Sequence, residues 1–516
     1  MTLFRNFFTV GYLTFISRIF GFIRDVLIAS IVGAGFVADA FFVAFKLPNL
    51  FRRLFAEGAF NAAFIPVLSS EIKRAGKGAA IQFSSRVVSV LFWLLLLLVI
   101  IFEIFMPFFM HFLAPGFVED PEKFDLAVRF TRITFPYILF ISLVSLQAGL
   151  LNTFNHFAAA AATPILLNLS LIFFLTVLFE YFPDAGYALS WGVFAAGIIQ
   201  LLWMSSALNL KSLNLKLFTP KLTVAIKKLL KLFIPAALGA GVYQINLLVD
   251  IILASTLSTG SISYLYFADR VSQLPIGVIG VALGTALLPL LSRYLKARKY
   301  SQALRSQNQA IEISLLFSFP ASVALIILSE FIVITLFQRG AFTEFESQQT
   351  AKALIAFSSG LPAYILIKVL APGFFAREDT KTPVKIAVVA MILNLILNLI
   401  LMIPLAHVGL ALATALSSWV NALALLYLLK IKGYFKIDKL IKSRVLKIIF
   451  STIVLAIFLI FSEHHLDAFT TFSLSLKILS ICTIIFASLL IYFFIIHVLG
   501  AAKINIIWKS KGKKLA

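Results

Sequence analysis

The 516-residue chain has one cysteine, six histidines, little charge and no long polar stretch. The lone Cys482 excludes an intrachain disulfide framework and a thiolate metal centre. The histidines are scattered, His464-His465 sits in a short loop without further ligands, and no GxxxxGK[ST] phosphate loop occurs. ATP-driven chemistry within this chain is thereby excluded, and nothing marks it as an enzyme. Only 13% of residues are charged and 61% are apolar, with a mean hydropathy of +1.02; an ordinary globular chain has about 25% and about 45–50%. The composition is that of an all-α polytopic membrane protein. Lys and Arg outnumber Asp and Glu by 44 to 22, a net charge of +22. Without a soluble domain on which basic and aromatic residues alternate, that excess points to loops facing anionic membrane lipids and not to nucleic acid. Arg5 precedes the first apolar stretch, but that stretch carries Arg18 and Arg24 and no small-residue cleavage site, so it is expected to stay in the mature protein.

A spanning helix needs about 20 apolar residues. Cutting the chain at its polar loops gives candidate spans near 8–33, 36–68, 82–113, 124–151, 158–182, 187–209, 230–257, 263–291, 307–337, 350–375, 384–403, 408–430, 446–462 and 470–499, fourteen in all. The loops then alternate. One set is basic: Lys73, Arg74 and Lys77; Lys211 to Lys228; Arg293 to Lys299; Arg377 to Lys385; Lys430 to Lys439; and the tail Lys509, Lys511, Lys513 and Lys514. The other set is neutral or acidic: Gly33 to Gly35, Glu119 to Glu122, Asp184, Ser258 to Ser261, Glu344 with Glu346, and Glu463 to Asp467. An even span count with both termini cytoplasmic satisfies every loop.

The chain also repeats itself. Asp25-Val-Leu-Ile-Ala-Ser30 matches Asp250-Ile-Ile-Leu-Ala-Ser255, Leu47-Pro48 matches Leu274-Pro275, and Ala63 to Ser69 matches Ala286 to Ser292. Thr163-Pro164 followed by Asn168 resembles Thr382-Pro383 followed by Asn394. Equivalent residues six spans apart imply two six-helix lobes of like orientation, a transporter architecture with the substrate between the halves. The expected division is residues 1–220 for helices 1 to 6, 221–435 for helices 7 to 12, and 436–516 for two additional helices and a basic tail.

Charges inside the spans are the candidates for function, because a mid-bilayer charge costs roughly 3 kcal/mol and so faces a protein interior or a water-filled cavity. Arg18 and Asp25 are seven residues apart and nearly superimposed in projection, with Arg24 about 120° from Arg18. Gly11 and Gly21 could bend the helix so that both arginines meet one cavity; the alternative is snorkelling or an Arg–Asp clamp between helices. Asp25 reads as an orienting partner or as a direct ligand. In the second span Asp39 is followed by Pro48, which is expected to break the helix and expose Asn49, Arg52 and Glu57 to the interior, while Lys46 and Arg53 could equally be interfacial anchors. In the second lobe Asp269-Arg270 precedes Pro275, with Ser263 on the same helix; Arg270 reads as cavity lining and Asp269 as its counter-charge. Arg18, Arg24, Arg52 and Arg270 exceed the carboxylates near them, and the guanidinium fork suits a phosphate. The expected ligand is an anion, plausibly a diphosphate, whose other end could be lipid.

The run Ser17-Arg18-Ile-Phe-Gly21-Phe-Ile-Arg24-Asp25, then Gly33-Ala-Gly35 and Asp39 through Lys46-Leu-Pro48-Asn49-Leu-Phe-Arg52-Arg53 to Glu57-Gly58, closely resembles the MurJ (MviN) lipid II flippases of the MOP exporter superfamily. The resemblance spans the chain, including Asp269-Arg270 and the two C-terminal helices. It implies a multi-pass protein of the bacterial inner membrane that moves lipid II, the undecaprenyl-diphosphate-linked peptidoglycan precursor, from the cytoplasmic to the periplasmic leaflet by alternating access. Other cell-wall synthesis proteins are then candidate partners. It implies cavity arginines at Arg18, Arg24, Arg52 and Arg270, and no cofactor except a sodium ion at Asp250, Asn394, Asn398 and Thr414, where Asn398 replaces a carboxylate that would strengthen the site. Against the sodium reading, Asp250 could stay protonated or bond to Tyr243 or Gln244. Rival readings are a flippase for another polyprenyl-diphosphate glycan, a multidrug exporter, which would call for an anionic cavity, and a membrane glycosyltransferase, which would call for a larger extracytoplasmic loop.

The orientation is testable. In a Cys482→Ser background, a cysteine at Glu344 is expected to react with an impermeant thiol reagent from the periplasm and one at Lys296 only from the cytoplasm. Reversed labelling refutes the orientation.

Overall fold

The structure, a computed structural model, describes residues 2–56, 59–436, 439–464 and 472–500, which contain helices and short connections and no strand. Glu57, Gly58, His465, Asp467 and the tail lysines Lys509, Lys511, Lys513 and Lys514 lie outside the described residues, as does the side chain of Tyr243.

Helix α1 (Thr2–Val32) is the first pass. The second joins α2 (Phe36–Ala56) to the opening of α3 (Ala59–Ile104). Helix α3 turns back at Ala75 and Gly76, where the backbone leaves helical values, so that Phe83 stacks on Phe64 with ring centroids 5.8 Å apart. Its second part and α4 (Met106–Leu113) make the third pass. Then come α5 (Pro121–Thr134) with α6 (Tyr137–Thr153), α7 (Ala158–Thr176), α8 (Ala185–Asn209) and α9 (Val224–Ser255). Helix α10 (Ser261–Pro275) continues through a π-helical turn at Ile276–Gly280 into α11 (Val281–Lys296). Next are α12 (Tyr300–Ile327) with α13 (Ser329–Phe337), and α14 (Glu344–Ser359) with α15 (Leu361–Phe375). Helix α16 (Lys381–Ile431) reverses at Ala406, whose φ is 47°, and α17 (Lys439–His464) and α18 (Leu474–Val498) close the chain. Ten stretches are long and apolar enough to cross a membrane by themselves. The fourteen expected passes map onto these helices, with α3 and α16, each interrupted by non-helical backbone, taking part in two passes apiece and α1 and α9 in one.

Short polar residues start the helices where the sequence places turns. Asp120 accepts from Lys123 N ahead of α5, Asp184 accepts from Gly186 N and Tyr187 N ahead of α8, and Thr223 accepts from Ile226 N ahead of α9. Each pairs amide groups that the first turn of a helix leaves without intrahelical acceptors. Between α15 and α16, Asp379 accepts from Thr382 N, Thr382 Oγ1 and Lys432 Nζ; the bonds from Lys432 and Thr382 bring its carboxyl down to about 2.

The chain divides into two compact units. One holds residues 1–263 and 339–343, the other 264–338 and 344–516. This division differs from the repeat boundary near residue 220, because α9, the first helix of the second repeat, packs on α3 and α2. In the second unit α17 and α18 dock on α12 and α13 through Leu316, Leu328, Ile448, Leu455, Leu459, Tyr492 and Ile496. An Arg444–Glu312 pair at 2.8 Å secures the same face.

At three prolines within helices another group bonds the carbonyl that the proline frees. Pro48 was expected to end its helix; instead α2 runs through it to Ala56. Proline lacks the amide that would bond the carbonyl four residues back, here Ala44, and Thr134 Oγ1 of α5 donates to that oxygen at 3.2 Å. Thr163 Oγ1 does the same for Ala160 O below Pro164, at 2.8 Å. Below Pro320, Tyr492 of α18 donates its hydroxyl to Leu316 O at 2.8 Å.

Tyr492→Phe therefore leaves a buried carbonyl without its donor. It is expected to destabilise the protein by about 1–3 kcal/mol, read as a lower thermal transition in detergent. Tyr427→Phe, at an exposed tyrosine, is the control and should leave the transition in place.

Candidate substrate-binding site

In the first unit Arg24 and Asp25 are both buried, at 8% and 5% exposure. Arg24 Nε and Nη2 donate to Asp25 Oδ1 at 3.1 and 2.6 Å, and Nη1 donates to Asn168 Oδ1 of α7 at 2.9 Å. Asn168 is itself fixed, donating Nδ2 to Ser17 O at 3.0 Å, and it faces Gly21, whose hydrogen leaves room for the amide. The guanidinium is thus held from three sides before any ligand arrives. Arg18, one face away on α1, is exposed and has no hydrogen bond or ion pair among the described residues. On α2, Arg52 Nε donates to Asn49 Oδ1 at 2.9 Å, both side chains half-buried.

Asp39 is placed differently from a lining residue. It is 1% exposed and fully engaged: Oδ1 accepts from Ser263 N at 3.0 Å and Ser263 Oγ at 2.7 Å. Oδ2 accepts from Gly260 N at 2.7 Å and Lys123 Nζ at 3.0 Å. Asp39 thereby caps the first turn of α10 from another helix, satisfying amides that would otherwise lack acceptors. Lys123 is also buried, lies 4.3 Å from the Phe117 ring centroid and donates to Thr259 Oγ1 at 3.4 Å. Both charges are paired and hydrogen-bonded, the condition under which buried charges persist.

In the second unit Arg270 lies over the Tyr266 ring, 4.6 Å from its centroid, a cation–π contact. Asp269 accepts from Gln273 Nε2 one turn on. The neutral residues implied as sodium ligands come together there. Asn398 Nδ2 donates to Asn394 Oδ1 at 3.1 Å, and Asn394 Nδ2 donates to Thr414 Oγ1 at 3.3 Å, joining the two arms of α16. Asp250, in the first unit, accepts from Asn246 Nδ2 at 3.4 Å. Asn and Thr oxygens are hard donors that suit a small cation. No group of three or more His, Cys, Asp or Glu is arranged for a metal ion among the described residues.

Two residues of these clusters were not among the site residues expected from the sequence. Lys123 stands in an otherwise acidic loop, Glu119-Asp-Pro-Glu-Lys123-Phe-Asp125, and a cation against the charge alternation was its signal. Asn168 precedes Asn394 by 226 residues, close to the 225 that separate Asp25 from Asp250, and that offset marks it as a counterpart of a candidate ligand.

The family model for "Lipid II flippase MurJ" matches residues 28–480. A Rhizobium meliloti protein named "Probable lipid II flippase MurJ" is 42% identical over 99% of this chain and 96% of its own length. A Rickettsia prowazekii protein of the same name is 39% identical over 90% and 91%. Among solved structures, "Lipid II flippase MurJ, inward closed conformation" aligns with a TM-score of 0.75 and 29% identity, covering 97% of this chain and 99% of that one. An inward-facing multidrug resistance MATE transporter of the MOP superfamily shares the fold alone, with a TM-score of 0.68 at 14% identity over 81% and 95%. With Arg24 and Asp25 standing in the Ser17–Gly58 run that resembles this family, and with relatives matched over nearly their whole length, the chain belongs to the MurJ family of lipid II flippases.

Proposed function

We propose that this protein moves lipid II across the inner membrane, from the cytoplasmic to the periplasmic leaflet, by alternating access, with both its termini in the cytoplasm. Arg18, Arg24, Arg52 and Arg270 hold the diphosphate in this reading, and the polyprenyl tail stays in lipid. The observation that carries it is the setting of Arg24, a buried guanidinium inside a spanning helix whose orientation is fixed by Asp25 and by an asparagine that is fixed in turn. A positioning carboxylate with one cation beside it and a second, Arg18, one face away leaves a local excess of positive charge, which favours an anionic ligand. A multidrug exporter for cations would need the opposite sign.

The remaining candidates take supporting parts. Asn49 holds Arg52 as Asn168 holds Arg24. The knot at Asp39, Lys123, Gly260 and Ser263 is a structural lock between the repeats, because Asp39 comes from the first repeat and Ser263 from the second. Asp269 orients its helix next to Arg270. Asn394, Asn398 and Thr414 would hold a sodium ion, which supplies charge that a conformational equilibrium can respond to.

Depletion of the protein in its host is expected to trap lipid II in the cytoplasmic leaflet, and Arg24→Ala should fail to restore transport at normal protein levels. Arg24→Lys should restore it poorly, since an ammonium cannot bond Asp25 and Asn168 simultaneously in the planar geometry of a fork. Full complementation by Arg24→Ala, or depletion without lipid II accumulation, overturns the assignment.

A further inference from the structure

The first unit also holds a cavity whose lining includes none of the candidate arginines. This cavity, of about 340 Å³, opens among Thr9, Leu151, Asn155, His156, Ala158 and Lys211, at the junction of α6 with α7 and of α8 with the segment that follows it. Its polar groups point to one kind of ligand. The His156 ring, the Asn155 amide and Lys211 Nζ make no hydrogen bond among the described residues, and Lys77 reaches across to donate to Lys211 O at 3.2 Å. One ammonium group and an imidazole thus line a recess with no carboxylate among its lining residues, and a second ammonium, Lys77, lies against the backbone of Lys211. The first residues of α7, Ala158 and Ala159, line the cavity, and Phe157 supplies no side-chain cap to that helix. Burial, and after it the repulsion of Lys211 and Lys77, holds the His156 imidazole below its ordinary value.

The rim says where the anion comes from. Residues 210–223 form no helix, and their backbone is pinned to α3 by Lys216 N donating to Ser85 Oγ at 3.1 Å and Phe218 N donating to Ser89 Oγ at 2.8 Å, both serines buried. Pinned in this way, the segment exposes Leu210 at 83%, Leu217 at 60% and Leu222 at 59%, alternating with Lys211, Lys216 and Lys221. Apolar side chains and lysines interleaved on one exposed strip are the composition of a membrane-interface segment that meets acyl chains and anionic headgroups together.

We propose that this cavity binds the phosphate of an anionic glycerophospholipid, with His156, Asn155 and Lys211 on the headgroup and Leu210 and Leu217 against its acyl chains. The proposal does not depend on what the protein transports.

The test uses the full-length protein in detergent, titrated with dioctanoyl phosphatidylglycerol, with dioctanoyl phosphatidylcholine and with inorganic phosphate, and reads lipid adducts by native mass spectrometry. The phosphatidylglycerol adduct is expected to exceed the other two. His156→Gln combined with Lys211→Gln should weaken it about tenfold, the effect of losing one charge-assisted hydrogen bond. Lys211→Gln alone, at an exposed side chain whose loss leaves the fold intact, should weaken it in the same direction. Equal binding of phosphatidylcholine overturns the anionic assignment, equal binding of inorganic phosphate overturns the lipid source, and unchanged phosphatidylglycerol binding by both variants overturns the location.

Discussion

Hydrocarbon offers a backbone carbonyl nothing to bond, and most of this architecture answers that constraint. Helices satisfy it within themselves, so the described residues contain helices and no strands. Where a proline removes an amide inside a helix, the carbonyl it frees calls for another donor. Thr134, Thr163 and Tyr492 are such donors, and two of the three come from a neighbouring helix. The same demand explains Asp39, whose carboxylate serves the amides at the start of α10.

Charge inside the spans is handled by the same means. Arg24 and Lys123 are each buried beside one carboxylate and one or more neutral oxygens. They differ in what remains. The Asp39–Lys123 pair is closed by donors on every side and has the character of a structural lock, whereas Arg24 sits one helical face from Arg18, which has no partner among the described residues. That difference separates a charge that holds the protein together from charges arranged to receive a ligand, although both look alike in a hydropathy profile.

Much of this was legible in the sequence. Fourteen passes follow from apolar runs and alternating loop charge, because insertion depends on a length and a sign that composition records directly. Arg24 and Asp25 could be picked out since a charge in an apolar run is costly wherever it lies. The sequence could not show what Asp39 does, because its partners Lys123, Gly260 and Ser263 are 84, 221 and 224 residues away and only the folded chain brings them together. Pro48 misled for a related reason. A proline states that an amide is missing, but the hydroxyl that compensates belongs to Thr134, on a helix that the local pattern does not mention.

The proline–hydroxyl pairs have a consequence for how such a protein can change over evolutionary time. Pro48 and Thr134, or Pro320 and Tyr492, are each half of one arrangement. A lineage that replaces the proline regains an amide for the carbonyl, and the distant hydroxyl then competes for an oxygen that is already bonded. Selection on the hydroxyl is released at that moment, and a lineage that loses the hydroxyl first must carry an unstable intermediate. Drift at these positions should therefore run in one order, proline before hydroxyl.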